Sequence, residues 1–321
     1  MTTQHQLAST SANQTVLVTG AAGLIGSATT RLLLSKNFRV IACDNFSIGN
    51  WRGISGRLIW EELDVSNRSF IERLTSYDVD LVVHCAAHPG GQSLIEPVRD
   101  VEVNVLGSMR LFEWCAKVGK PVVFTSSSSV YGDLPHEPIK ETAPLYTGTI
   151  YGACKIACEN FLRILGEGYG LKWVVLRLFS VFGAGHRPSK FQGIVNVMLT
   201  QLLAGNRVVV KGSLDRVRDL VYVNDVADAV CKSIYVPEAF GQIINIGTGN
   251  GTTIRDLIHA LIRALGRQLE DVEIVQEQGT VGDPFYIVGD CDKAQNILGF
   301  LPKYDLEKGL SEFVNQPKSD D

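Results

Sequence analysis

Thr15-Val-Leu-Val-Thr19-Gly20-Ala-Ala-Gly23-Leu-Ile-Gly26-Ser-Ala-Thr-Thr-Arg-Leu-Leu-Leu-Ser35 is the stretch on which the fold turns. Five β-favouring residues lead into three spaced glycines, and an apolar run of helical period follows at once. Strand, tight turn and helix in that order make the first half of a parallel crossover unit. The alternation continues downstream, with strand candidates at 39–43, 58–63, 81–84, 122–126, 173–178 and 243–246. Helix candidates fall at 24–35, 66–75, 97–118, 151–166, 191–204, 223–235, 254–265 and 306–314. This pattern predicts an α/β fold built on a doubly wound parallel sheet. From about Phe179 it loosens into glycine- and charge-rich loops, where a smaller C-terminal substrate-binding part is expected. The expected organisation is a nucleotide-binding domain over 14–178, rejoined by 218–248, a substrate-binding part over 179–217 and 249–315, and flexible ends at 1–13 and 316–321.

The glycines carry a chemical reading as well. Spaced as Gly20, Gly23 and Gly26, they let the backbone turn tightly and approach a pyrophosphate, while the helix that follows offers unpaired N–H groups to it. Asp44 closes the second strand, 18 residues beyond Gly26. A carboxylate there accepts hydrogen bonds from an adenosine ribose and repels a 2′-phosphate, which favours NAD over NADP. A local turn cap is the plainer alternative for that aspartate. Further on, the strand candidate 122–126 empties into Ser126-Ser-Ser-Ser129, and Tyr151-Gly-Ala-Cys-Lys155 opens the next helix. Positions four apart share a helix face, so phenol and ammonium enter the same space. A phenol with pKa near 10 needs about 1.4 kcal/mol of help per unit to act as a base at neutral pH, and a nearby cation supplies it. A tyrosine and lysine at this spacing also occur on ordinary exposed helix faces; the glycine turn and the serine run make the pair informative.

Composition narrows the function classes. The 321 residues are 45% apolar and 20% charged, with a formal net charge of −4. That balance, with a pI near 5.9, offers no basic field to a nucleic-acid backbone. No run of 18 apolar residues appears, and the polar opening Met1 to Gln14 lacks a signal peptide's basic start and apolar middle, so a cytoplasmic protein with no membrane partner is expected. Seven cysteines without a CxxC pair read as free thiols in a reducing compartment, with no metal site implied.

Taken together, Gly20-x-x-Gly23-x-x-Gly26, Asp44-Asn45-Phe46, Asp64-Val65, His84-Cys-Ala-Ala87, Asn104-Val-Leu-Gly107, Ser126-Ser-Ser-Ser-Val-Tyr-Gly132, Tyr151-x-x-x-Lys155, Arg177 through Gly183, Arg218-Asp219 and Asn245-Ile-Gly247 resemble one family in the right order. It is the extended short-chain dehydrogenase/reductases, within the NAD-dependent nucleotide-sugar epimerase/dehydratase family. The resemblance runs from Val16 to about Leu310 and implies a Rossmann-type fold. It implies that Leu24 and Ile25 lie along the pyrophosphate, Asp44 and Asn45 at the adenosine ribose, and Asp64 and Val65 beside the adenine. Cys85, Ala86 and Ala87 would flank the central ribose, Asn104 the nicotinamide side, and Phe179 the carboxamide. Ser127 would hold the reacting hydroxyl, Tyr151 would be the base, and Lys155 its electrostatic partner and a ribose ligand. The nucleotide-sugar substrate would meet His88, Ser127, Ser180, Arg187 and Arg218, and a homodimer would form through 97–118 and 151–166.

Similar dehydratases and decarboxylases place acids just after the catalytic hydroxyl, whereas Ser128 and Ser129 stand here. The expected reaction is therefore epimerisation at C4 through a transient 4-keto sugar. A sugar dehydrogenase or 4-keto reductase with net redox change is the alternative, and a non-catalytic NAD-sensing protein the alternative of another class. Two departures bear on the substrate. Ser180 replaces an asparagine common among relatives, and Thr280-Val-Gly-Asp283 lacks their loop arginine. Ser180 followed by Arg187-Pro188 is similar to epimerases that accept uronic-acid sugars, where a guanidinium meets a carboxylate; a solvated loop charge is the other reading of Arg187. His84 is expected to pack at a strand end rather than to catalyse.

Overall fold

The computed structural model describes residues 14–49, 54–185, 192–280 and 282–315; the two terminal segments and Arg187 lie outside the described residues. In chain order the strands are β1 (Thr15–Thr19), β2 (Arg39–Asp44), β3 (Leu58–Glu62), β4 (Leu81–His84), β5 (Val122–Ser127), β6 (Trp173–Leu178), β7 (Ser180–Phe182), β8 (Arg207–Lys211), β9 (Val217–Tyr222), β10 (Gln242–Ile246), β11 (Gly251–Thr253), β12 (Glu273–Glu277) and β13 (Tyr286–Ile287). The longer helices are α1 (Leu24–Ser35), α2 (Arg68–Leu74), α3 (Ser108–Val118), α4 (Ile150–Tyr169), α5 (Ile194–Ala204), α6 (Val223–Tyr235), α7 (Ile254–Ala264), α8 (Asp292–Leu298) and α9 (Leu306–Val314).

Seven strands form one sheet in the order β10-β6-β5-β4-β1-β2-β3, every neighbouring pair parallel. This is the Rossmann-type order, reversing direction between β1 and β4. The strands read as nearly unbroken apolar runs because both faces are covered. Val16 and Val18 of β1 pack with Leu33 of α1, Val226 and Val230 of α6 and Leu298 of α8. The residue between them, Leu17, joins Phe70 of α2, Leu111 and Phe112 of α3 and Leu162 of α4. All three β1 residues are 0% exposed, and such burial is worth on the order of 1.5–3 kcal/mol per aliphatic side chain. A third apolar cluster joins α5, α7 and α9 to β8 and β9 in the smaller part.

Of the 218–248 stretch expected to rejoin the large sheet, β10 does so beside β6. By contrast, β9 lies in a small sheet with β7, β11 and β13. The segment 97–118, expected as one helix, is in three pieces: Pro97–Asp100, a widened π-helical turn Val101–Gly107, and α3. The widened turn contains Asn104, whose carboxamide is committed to the backbone of His88 on both sides; such insertions concentrate at functional sites.

Candidate active site

The C-terminal ends of the parallel strands open into a cleft of about 670 Å³. One wall of it is the glycine turn. Gly20 has φ +66, and a Cβ there would come within 2.6 Å of the Ala86 nitrogen; at Gly26 it would overlap the Gly20 carbonyl. Only glycine lets these segments approach so closely. Gly23 is the N-cap of α1 and supplies no side-chain acceptor, so the first-turn N–H groups of this 12-residue helix are left for an anion. Asp44 accepts hydrogen bonds from the N–H groups of Ala22 (2.9 Å) and Phe46 (2.8 Å), which anchors the turn against β2.

Asp64 forms the far corner. It accepts from Ser66 N (2.8 Å), Ser66 Oγ (2.6 Å) and Asn45 Nδ2 (2.9 Å), and pairs with Arg99. Partial burial raises its carboxyl, but the Ser66 and Asn45 hydrogen bonds and the Arg99 charge outweigh it and leave the group at about 2. The cleft's dimensions and its uncapped helix terminus suit a dinucleotide: glycine turn and Asp44 at one end, Cys85, Ala86 and Ala87 along the floor.

β5 and α4 meet at the same cleft. The N-terminus of α4 is fixed by Thr149, whose Oγ1 accepts from Gly152 N at 3.1 Å, and this brings Tyr151 and Lys155 to the cleft. Lys155 is 2% exposed. Its Nζ donates to Thr125 O at 2.9 Å and lies 4.6 Å from the Phe124 ring centroid and 5.6 Å from that of Tyr151. Ser127, at the end of β5, accepts from Ser129 N at 3.2 Å and keeps its hydroxyl hydrogen for another acceptor. The chain at Gly90 runs across the Tyr151 ring, where a Cβ would stand 3.2 Å from a ring carbon. Next to it His88 is held by Asn104, which accepts from His88 N (2.8 Å) and donates to His88 O (2.9 Å). The His88 Nε2 is 3.5 Å from the Glu96 carboxylate.

One cleft therefore holds Gly20, Gly23, Leu24, Ile25, Gly26, Asp44, Asn45, Asp64, Val65, Cys85, Ala86, Ala87, His88, Ser127, Tyr151, Lys155 and Phe179. Asn104, Ser180 and Arg218 are not among its lining residues. Asn104 sits behind the wall as the brace of His88. Ser180 belongs to β7, opposite Leu220 of β9. Arg218 is 5% exposed and donates to Asp283 (2.6 Å) and to the carbonyls of Pro284 (2.7 Å) and Val217 (2.8 Å). Burial and neighbouring Arg216 lower its guanidinium to about 10. His84 is fully buried, with Nδ1 2.7 Å from Thr19 Oγ1 and Nε2 2.9 Å from Ser108 Oγ, the packing role expected. Glu96, Arg99, Thr125, Gln192 and Gly193 also line the cleft, and the residue pattern had not flagged them. Arg99 and Glu96 lie three residues apart on the approach to a helix, with nothing in sequence to tie them to Asp64 or His88.

A phenol beside a buried lysine, a serine hydroxyl at a strand end and a helix terminus facing the cleft suit proton abstraction from a hydroxyl next to a dinucleotide. Residues 16–247 match the sequence profile of the NAD dependent epimerase/dehydratase family. The chain is 31% identical over 312 residues to the UDP-glucose 4-epimerase of Lacticaseibacillus casei, covering 91% of this chain and 92% of that protein. Its fold is similar to the UDP-glucose 4-epimerase of Thermotoga maritima solved with UDP-glucose: TM-score 0.88, 33% identity, 94% of this chain and 97% of the other. It is similar also to the Thermus thermophilus UDP-glucose 4-epimerase solved with NAD: TM-score 0.87, 32% identity, 94% and 98% covered. With the profile spanning well over half its length and these likenesses nearly all of it, the chain belongs to the NAD-dependent epimerase/dehydratase family and takes NAD as its cofactor.

Proposed function

We propose that the protein interconverts C4 epimers of a UDP-activated hexose through a transient 4-keto sugar. The observation that supports this reading is that Ser127, Tyr151 and Lys155 line the same cleft as the glycine turn and Asp44. The relatives named above act on UDP-glucose, which supports a uridine nucleotide as the carrier.

Bound NAD supplies a hydride acceptor that is also a hydride donor. Tyr151 removes the proton of the C4 hydroxyl, and Lys155, fixed by Thr125 O, stabilises the phenolate it starts from. Ser127 donates a hydrogen bond to the same substrate oxygen as charge builds on it. The 4-keto sugar, trigonal at C4, then turns in the cleft to present its other face to the hydride, and Tyr151 returns the proton to the C4 oxygen. Net redox change is zero. Asp44 and Asn45 would hold the adenosine ribose, and the α1 terminus the pyrophosphate. His88 would border the sugar. No helix of the described residues is long and apolar enough to cross a membrane. The seven cysteines are free, which supports a reducing, cytoplasmic setting. A homodimer through the apolar surface around Val98 completes the proposal.

The test is incubation with UDP-, GDP-, CDP- and dTDP-sugars, UDP-glucuronic acid included, without added cofactor and with products separated by chromatography. The expected result is UDP-glucose and UDP-galactose interconverted. Tyr151→Phe should slow this by about 10²–10⁴-fold, the usual range for a lost general base. Accumulation of NADH and a keto sugar in equal amounts would mean a net oxidoreductase instead.

A further inference from the structure

Three polar side chains occupy one row of the large sheet, a residue back from the strand ends that frame the cleft. Ser126 of β5 is the register partner of Arg177 of β6, and Arg177 that of Asn245 of β10. All three are buried, as are the two groups that close over them, Glu159 of α4 and Tyr131 of the turn after β5. Ser126 Oγ donates to Glu159 Oε1 at 2.6 Å. Arg177 grips the same carboxylate with two prongs, Nε to Oε1 at 3.0 Å and Nη2 to Oε2 at 2.7 Å. Its Nη1 donates to Tyr131 OH at 2.9 Å, and Tyr131 OH donates onward to Asn245 Oδ1 at 2.6 Å.

The position of this network matters more than its size. Tyr151, Lys155 and Glu159 are spaced by four along one face of α4. Thr125, Ser126 and Ser127 are consecutive at the end of β5. Lys155 is bound to Thr125 O and Glu159 to Ser126 Oγ, so two adjacent tethers join this helix face to this strand end just beside Ser127 and Tyr151. Neither Glu159 nor Arg177 lines the cleft. A buried ion pair is a poor source of stability, because desolvation cancels most of its attraction and apolar replacement of both partners is often neutral. What a two-pronged, charge-assisted contact supplies is direction and distance.

We infer that Glu159 and Arg177 are positioning residues. Their ion pair sets the place of α4 along β5 and so holds the Tyr151 phenol and the Ser127 hydroxyl on the same substrate oxygen. The inference rests on the proposed function, and it predicts a defect in chemistry rather than in binding. Because Tyr151 and Lys155 share α4, a displaced helix carries them together; the pH at which activity appears should stay where it is while the rate falls.

The test uses the NAD-loaded protein and the double variant Glu159→Leu/Arg177→Met, which removes both charges at once and strands neither in the interior. The expected result is a melting temperature within a few degrees of the parent, bound NAD retained, KM for the UDP-sugar unchanged and kcat lowered at least about tenfold, since small misplacements of reacting groups are costly. Ser126→Ala, which deletes a single buried hydroxyl, should show a smaller loss of the same kind, with Ser126→Thr recovering it. A double variant with kcat within about twofold of the parent, or one whose rate loss follows its loss of NAD, overturns the positioning role. A parent that turns over no nucleotide sugar refutes the proposed function instead. Crystal structures of parent and double variant then decide the inference alone: a changed separation of Ser127 and Tyr151 supports it, and an unchanged one overturns it.

Discussion

Lys155 carries its ε-amino group into the interior, where its donors need partners. Thr125 O takes one, and the faces of Phe124 and Tyr151 surround the charge. A neighbour registers it: burial first, and the Lys155 charge second, push His84 down to about 3 from an ordinary 6.5. The folded protein therefore holds His84 neutral where the unfolded chain would protonate it. A folded value below the unfolded one gives stability that is present above pH 6.5 and lost as pH falls toward 3. Between pH 7 and pH 5 this residue should cost the parent about 2 kcal/mol of stability. Denaturant unfolding of parent and His84→Gln at both pH values reads it; equal losses in the two proteins would contradict it. Sequence exposed Gly20, Asp44, Ser127, Tyr151 and Lys155 because each belongs to a short local motif. Arg218 was legible as a residue but not in its setting: the partner that engages its guanidinium, Asp283, stands 65 positions away.

Among the elements, those of the large sheet could be read directly, since a strand buried on both faces must be a continuous apolar run. The short strands of the small sheet could not. β7, β11 and β13 are three residues or fewer, and their pairing with β9 depends on contacts distant in sequence. The π-helical turn at Val101–Gly107 was equally silent, since the residue it holds, Asn104, meets the backbone of His88, far back in the sequence. That turn and the chain leading into it expose apolar residues: Leu94, Ile95, Val98, Val101 and Leu106 are 57%, 62%, 71%, 42% and 48% exposed. The proposed homodimer would cover these side chains. Sedimentation should give a dimer for the parent and a monomer for Val98→Glu; a monomeric parent would remove the dimer from the account.

In the protein entire, the fold and the chemistry share one cause. Reversal of strand order between β1 and β4 leaves an open crevice at the strand ends, and the glycine turn, the end of β5 and the start of α4 all empty into it. A cleft shaped this way suits a dinucleotide, and Tyr151 lines it. In the proposed reaction the hydride taken from C4 of the sugar returns to C4 of the same sugar. The most direct measurement uses UDP-glucose carrying deuterium at C4, incubated with the NAD-loaded protein in ordinary water, with the UDP-galactose formed examined by mass spectrometry and NMR. Full retention of deuterium at C4 is expected; loss of the label to solvent during turnover would contradict the proposed reaction.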